Sequence, residues 1–382
     1  MKAIIIGGGI GGLTTAIALQ QRGWHYEVYE AAPEYKAVGA GILLGANAMK
    51  VYRQLGIADA LISQSGHLEQ LYIKDYKGKV LQQIDNNLLQ QQYGSRSVPI
   101  HRATLQAALL GYLNTPVRTG KKCIAVDETQ NGVIARFEDG SETKGDILIA
   151  ADGIRSAVRE QYIGSHGYRY SGQTCWRTTV TMNLPMAERT VTSEVWGGKG
   201  NGVRASFMHV GGDQVYFWFT RRLPEGTPLT NDEALALIQR ELSGFSGHMK
   251  EVVAHIDPSK LIRSDLYDLA PTQNWHKGHV VLLGDAAHAT TPNLGQGASQ
   301  AIEDAYALAE SLFLHYAPDT AFRHYVAKRM KRAHKIVRMS WQLALLTNWQ
   351  GSIAAGLRNF LVRNMPASTT KRQLDFLYNI EL

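Results

Sequence analysis

The sequence predicts an α/β fold: a Rossmann-like nucleotide-binding domain that is discontinuous along the chain, a mixed β-sheet domain inserted into it, and helices at the C-terminal end. Three glycine-bearing segments, far apart in sequence, carry this prediction: Gly7-Gly8-Gly9-Ile10-Gly11-Gly12, Ala150-Ala151-Asp152-Gly153 and Leu283-Gly284-Asp285-Ala286-Ala287-His288. The first and last each follow a short apolar run, and a β-rich stretch lies between the second and third.

The first segment closes a strand and opens a helix. Lys2–Ile6 is an apolar run of the kind found in buried parallel strands, and Ile10–Arg22 places Leu13, Ile17 and Leu19 at helical spacing. Gly7 then permits the tight turn, Gly9 lets a phosphate reach the backbone, and Gly12 allows the helix to pack closely. The helix start offers free N–H groups and partial positive charge to an anion. Tyr26–Glu30 reads as the next strand, and Glu30 lies 18 residues after Gly12, near the position of a carboxylate that binds ribose hydroxyls. The late segment adds a second carboxylate, Asp285, and a second turn, Gly295-Gln296-Gly297, where backbone can approach an extended cofactor. That combination favours a flavin over a simple nicotinamide site.

Composition bounds the function. The 382 residues suffice for two domains with substantial cores, and 45% hydrophobic with 19% charged is ordinary for a globular chain. Lys plus Arg is 40 against 33 for Asp plus Glu, a formal charge of +7 that suits anionic ligands. The basic residues form no long run, so no nucleic acid is expected as partner. Cys123 and Cys175 lack metal-ligand spacing and fit a reducing, cytoplasmic location, and no metal site is expected. The glycine cluster argues against a cleaved leader at the apolar N-terminus, and no run of 18 or more apolar residues suggests a membrane span.

Further along, Val38–Ile42 reads as an apolar glycine loop, and 47–55 and 102–112 read as helices. Lys121–Thr129, Val133–Phe137 and Asp146–Ala150 are expected as short strands closing the first sheet. From about Gln173 to Arg222 the chain becomes β-rich in Trp, Tyr, Phe and Thr. It returns to a nucleotide-domain strand at His279–Leu283 and is helical after Gly297. The expected boundaries are 1–172 with 267–330 for the nucleotide domain, 173–266 for the substrate domain, and 331–382 for a C-terminal helical segment.

Taken together, these motifs resemble the group A flavoprotein monooxygenases, the single-component aromatic hydroxylases, over roughly residues 1–330. The most specific part is Gly284-Asp285 continued through Pro292 to Gly295-Gln296-Gly297. The resemblance implies that Asp285 binds the ribityl chain of FAD and that the Gly295–Gly297 turn opens a helix whose N-terminus faces the isoalloxazine. Positive potential there stabilises anionic reduced flavin. It also implies that the Asp152 segment serves the flavin pyrophosphate and the nicotinamide cofactor, NADPH or NADH, and that Arg102 lies near the flavin phosphates. Gly41 joins this cofactor-contacting set. The alternative for Asp152 and Arg102 is a turn acid and a solvated helix-start cation.

The family chemistry is reduction of flavin by NAD(P)H, addition of molecular oxygen to give a flavin C4a-hydroperoxide, and oxygen transfer to an electron-rich ring. The protein mainly excludes water and activates the substrate. The expected substrate is therefore a small aromatic or heteroaromatic molecule, with anions among the candidates. A reductase without oxygen transfer and a peripheral membrane quinone-precursor hydroxylase are the alternatives.

Asn201–His209 and Gln214–Phe219, joined by Gly211-Gly212-Asp213, resemble the FAD-dependent urate hydroxylase branch, with Arg204 and Tyr216 at the places of its catalytic arginine and tyrosine. The implied job is substrate deprotonation, a guanidinium favouring phenolate or the substrate anion. A three-residue loop pairs Met208 with Tyr216 and puts Arg204 and Tyr216 on one sheet face; a two-residue loop sends them to opposite faces. The competing reading is that both merely pack or pair. Trp176, Arg177, Trp196 and Trp218 are secondary pocket candidates, and His288 reads as a hydrogen-bonded structural group rather than a ligand. The stretch Met339–Arg363 mixes large apolar residues with Arg338, Arg358 and Arg363. It is expected to pack over the two domains, with a membrane surface as the less favoured partner.

Overall fold

A computed structural model of the chain describes residues 1–36, 40–164, 167–198, 201–245 and 247–382. Part of the expected Val38–Ile42 loop lies outside the described residues.

The nucleotide sheet has five strands in the order His276–Lys277, Val280–Leu282, Ile147–Ala150, Lys2–Ile6, His25–Tyr29. All pairs are parallel except the edge strand His276–Lys277. Ile4, Ile5, Ile147, Leu148 and Ile149 are fully buried, as parallel strands covered on both faces require. Helix Ile10–Gln20 buries Leu13, Ala16 and Ile17, and it packs closely against the long helix Gly297–Leu314. Residues 147–150 return from mid-chain to pair with the first strand, and 280–282 return from late chain to pair with 147–150, which makes the domain discontinuous.

A second sheet has seven strands: Ile262–Leu269, Tyr168–Thr181, Gln214–Arg222, Arg204–His209, Val191–Trp196, Gln70–Asp75, Val80–Asp85. It is antiparallel except where Val191–Trp196 runs parallel to Gln70–Asp75. Two of its strands thus come from before residue 86, outside the 173–266 stretch. One face packs a core of Trp176, Val195, Phe217 and Phe219 against helices Asn231–Leu242 and Met249–Ala254. The first of these helices starts with a reciprocal cap between Thr230 and Glu233.

One expectation is corrected. Cys123–Thr129 and Gly132–Phe137 do not close the first sheet; with Glu142–Gly145 they form a separate three-stranded antiparallel sheet. Tight hairpins force antiparallel neighbours, so these three strands pair with one another, whereas Ile147–Ala150 enters the first sheet parallel to Lys2–Ile6. A fourth, two-stranded pairing joins Gly41–Leu44 to Val98–His101 between the large sheets. The C-terminal end is helical through Pro318–Thr347, Ser352–Arg363 and Ala367–Tyr378.

Candidate active site

The first glycine turn is built by close contact. Gly7 has φ +106°, and a Cβ there would sit 2.3 Å from the Ala151 carbonyl oxygen; a Cβ on Gly12 would sit 1.9 Å from that of Gly7. Neither position has room for a side chain. Gly9 is different: nothing lies within 4 Å of a Cβ built on it, and it caps helix Ile10–Gln20 with no side-chain cap. The open space above Gly9 faces uncapped helix N–H groups, the geometry of an anion site. Glu30 ends the second strand beside this turn, its Oε2 accepting from Gly8 N at 2.7 Å and its Oε1 from Ala32 N at 2.9 Å.

Asp152 follows the strand Ile147–Ala150. Burial pushes its carboxyl up, against the pull of Ser156 and the Val158 N–H, and its Oδ1 is enclosed without a hydrogen-bond partner. Such an atom is costly unless a ligand donor satisfies it.

Gly284 has φ +60° and starts the short helix Asp285–His288. The Asp285 side chain is open to solvent yet set deep, so that burial pushes its carboxyl up while His288 and Arg102 pull it down. Arg102, the first residue of helix Arg102–Gly111, is likewise open but deep. Burial lowers its pKa, and it lies within electrostatic reach of Asp285, Arg177 and Tyr216. A Cβ on Gly297 would come 3.9 Å from Asp285 Oδ1, so the late turn and this carboxylate share one wall. Gly295 has φ +62° and open space around it. Helix Gly297–Leu314 starts with no side-chain cap, leaving its first N–H groups free. The Gln296 side chain is buried, and its Oε1 accepts from Asn47 Nδ2 at 3.0 Å and from Gln300 Nε2 at 3.1 Å.

Behind this wall is a buried charge cluster that sequence reasoning missed. Asp304 Oδ2 is 2.5 Å from His288 Nε2 and accepts from Gly284 N at 3.1 Å, while Arg329 Nε donates to its Oδ1 at 2.7 Å. Glu303 accepts from Asn47 Nδ2 at 2.5 Å and from Arg332 Nε at 2.8 Å, and it pairs with Arg329. The cluster ties Gly284 and Gln296 to two long helices and so fixes both turns. Adjacent acids inside an otherwise apolar helical run were the available signal. His288 is structural, as expected, with its acid supplied sixteen residues on.

On the substrate side, Met208 pairs with Tyr216 and Arg204 with Thr220, so Arg204 and Tyr216 lie on one face of the sheet. They are not partners. Arg204 is buried, with Nη1 donating to Glu194 at 3.1 Å, Nη2 donating to Asn293 Oδ1, and its guanidinium 5.7 Å from the Trp218 ring centre. Asn293 belongs to the turn Pro292–Leu294 just before Gly295, which links this arginine to the nucleotide domain. Tyr216 packs on Gly41, where a Cβ would come 2.5 Å from the tyrosine Cβ and Cγ. The guanidinium beside Tyr216 is Arg177, whose Nη2 donates to Ser264 Oγ at 2.9 Å and whose enclosed Nε has no partner. Burial pushes the Tyr216 phenol up and outweighs the pull of Arg177 and Arg102. Trp176 and Trp196 are core residues, while Trp218 lies on the Tyr216 face.

The residues 1–340 match the family described as FAD binding domain. The chain is 34% identical over 381 residues to aurachin C monooxygenase/isomerase of Stigmatella aurantiaca, covering 98% of each chain. It is 36% identical over 340 residues to an FAD-dependent urate hydroxylase of Klebsiella pneumoniae, covering 88% of each. It also superimposes on Klebsiella pneumoniae HpxO complexed with FAD and uric acid, with a TM-score of 0.90 at 32% identity, covering 99% of this chain and 96% of the other.

The chain is a group A flavoprotein monooxygenase. Its own residues fit FAD: two uncapped helix starts at Gly9 and Gly297, the Asp152 oxygen without a partner, and the open Asp285 and Arg102 supply the donors and acceptors that phosphates, ribose hydroxyls and a ribityl chain need. In this flavoprotein the strand Gly41–Leu44 therefore meets the cofactor domain on one side and Tyr216 on the other.

Proposed function

We propose that this monooxygenase uses NADPH or NADH and molecular oxygen to hydroxylate a small heteroaromatic substrate bound as its anion. The supporting observation is the cluster of cations facing Tyr216: Arg102 and Arg177 lie within its reach, and neither has a carboxylate within ion-pair distance among the described residues. FAD held between the two glycine turns would supply hydride acceptance and oxygen activation.

The protein's contribution is positioning and charge. Gly7, Gly9 and Gly12 shape the pyrophosphate turn, Glu30 holds that turn from the ribose side, and Asp152, Asp285 and Arg102 line the rest of the cofactor path. Gly41, Gly295, Gln296 and Gly297 contribute backbone. Arg204, anchored to Glu194 and Asn293, and Arg177 stabilise a ring anion; Tyr216 holds a ring oxygen through its neutral hydroxyl. An anionic ring is the better nucleophile toward electrophilic oxygen. The upward push of burial on the phenol supports a hydrogen-bonding role for Tyr216 over a phenolate one. The overall balance is substrate C–H, O2, NAD(P)H and a proton giving substrate C–OH, NAD(P)+ and water. The urate named for two of the relatives is an oxygen-bearing nitrogen heterocycle with acidic N–H groups, and that chemistry fits the cationic face.

The test is NAD(P)H oxidation by the FAD-loaded enzyme against a library of hydroxylated heteroaromatics under isotopic O2, with peroxide measured beside product. One labelled oxygen per product supports the reading. NAD(P)H consumption with no labelled product for any ligand overturns it in favour of a reductase.

A further inference from the structure

The C-terminal helix Ser352–Arg363 is turned inside out relative to an ordinary surface helix. Ala355, Arg358 and Val362 face inward, with the Arg358 guanidinium 4.8 Å from the Trp196 ring centre and donating to the Gly197 carbonyl at 3.2 Å. Ile353 is 92% exposed, Leu357 51%, Phe360 62% and Leu361 49%. At about 100° per residue these four occupy one stripe roughly opposite the inward three. Leu345 and Trp349, on and just after the preceding helix, are also exposed. The expectation that this stretch packs over the domains therefore holds for Leu343, Leu346 and Val362 and fails for the outward stripe. Polar solvent gives no reason for such a stripe, and soluble monomers rarely expose so many large apolar side chains together.

The charge around the stripe identifies what covers it. Between Asp319 and Asp375 the chain has no acidic residue and 11 Lys or Arg. Arg329, Arg332 and Arg358 are used internally, but Lys331, Arg338, Arg363, Lys371 and Arg372 are exposed, with no carboxylate at ion-pair distance among the described residues. Phe360 and Arg363 also line a depression of about 720 Å³ together with Lys77, Lys79 and Arg240. Its carboxylates are occupied: Asp75 accepts the N–H groups of Lys77 and Lys79, and Glu241 pairs with Arg221. A second copy of the chain docked face to face would bring these cations together, which costs energy. An apolar stripe of Ile, Leu and Phe, with Trp349 nearby and with Arg363 and the depression shared with Lys77, Lys79 and Arg240 beside it, matches the interfacial zone of an anionic bilayer. Among the described residues no helix is long and apolar enough to cross a membrane, so the contact is peripheral.

We propose that the outward face of Ser352–Arg363, with Leu345 and Trp349, docks this enzyme on the surface of an anionic phospholipid membrane. The test is co-sedimentation of the full-length, FAD-loaded protein with vesicles of phosphatidylglycerol in phosphatidylcholine, beside phosphatidylcholine alone. Partition should be about tenfold higher with the anionic lipid and should fall as NaCl rises from about 50 to about 500 mM. Leu357→Ser combined with Phe360→Ser and Leu361→Ser should lower it about tenfold while keeping flavin absorbance and the melting temperature. Ile353→Ser alone, at the most exposed position, is the second variant should the triple substitution fail to fold. Wild-type protein left in the supernatant at low salt, or variants that bind as wild type does, overturns the proposal. So does a wild-type dimer in light scattering that the substitutions dissociate, since a second copy would then cover the stripe.

Discussion

The glycine turn separates packing space from ligand space, and two alanine substitutions test the separation. At Gly12 a Cβ would lie 1.9 Å from the Gly7 carbonyl oxygen and 3.1 Å from its carbon, both backbone atoms that cannot swing aside. Relief needs a shift of more than an ångström between strand Lys2–Ile6 and helix Ile10–Gln20, which both belong to the main core. Overpacking of this kind costs about 1–3 kcal/mol or more. Gly9 has φ −78° and ψ −176°, which alanine adopts without strain, and open space beyond its Cβ. Gly9→Ala should leave the apoprotein as stable as wild type, within about 0.5 kcal/mol. If the pyrophosphate occupies that space, the new methyl clashes with it, and a cost of about 1–3 kcal/mol lowers FAD affinity about 5- to 150-fold. Thermal unfolding of apoprotein gives the first quantity and quenching of flavin fluorescence on titration gives the second. Wild-type FAD affinity in Gly9→Ala, with a normal melting curve, would refute the assignment of that space to the cofactor.

Tyr216→Phe should keep FAD binding and lower kcat/KM for the hydroxylated substrate about 10²-fold or more, with peroxide rising relative to product, as steady-state kinetics with both readouts will check. Arg329→Met removes the cation shared by Glu303 and Asp304 and should destabilise the protein by about 3–5 kcal/mol in urea unfolding, because two buried carboxylates lose their main partner. His334 is held down from 6.5 to about 4, first by burial and then by His288 and Arg338. Its folded pKa is below its unfolded one, so its contribution is intact above about pH 6.5 and lost as pH falls toward 4, a change of up to about 3 kcal/mol. His334→Gln should flatten the stability profile in that window, measured by urea unfolding at several pH values.

What the sequence made legible was local. A strand, a glycine turn and a helix are contiguous, so Gly7, Gly9 and Gly12 could be assigned roles from spacing, and Met208 could be paired with Tyr216 from the length of one loop. What it hid depends on contacts across the chain. Gln70–Asp75 joins the second sheet by pairing with Val191–Trp196, more than a hundred residues away, with no local pattern to show it. Arg177 reaches Tyr216 because Arg177 and Thr179 pair with Trp218 and Tyr216 across two strands, whereas Arg204, chosen from the hairpin, is anchored four residues along it. The outward stripe of Ser352–Arg363 is not legible in the sequence because periodicity says that one helix face is apolar without saying which face turns inward.

The charged groups themselves divide by whether the protein satisfies them. Glu303, Asp304, Arg329 and Arg332 are buried or nearly so, and each is matched by an opposite charge at hydrogen-bond distance. Removing charge from water is expensive, and this cluster offsets the cost internally, so it needs no ligand. Asp285 and Arg102 are open to solvent and have no ion pair among the described residues, Asp152 keeps an enclosed oxygen without a donor, and Arg177 keeps an enclosed Nε without an acceptor. Chain folding alone leaves the enclosed atoms of Asp152 and Arg177 uncompensated and Asp285 and Arg102 matched only by water. A cofactor and an anionic substrate that satisfy these groups stabilise the folded chain, so binding of each should raise the melting temperature, and the two increments together should exceed either alone.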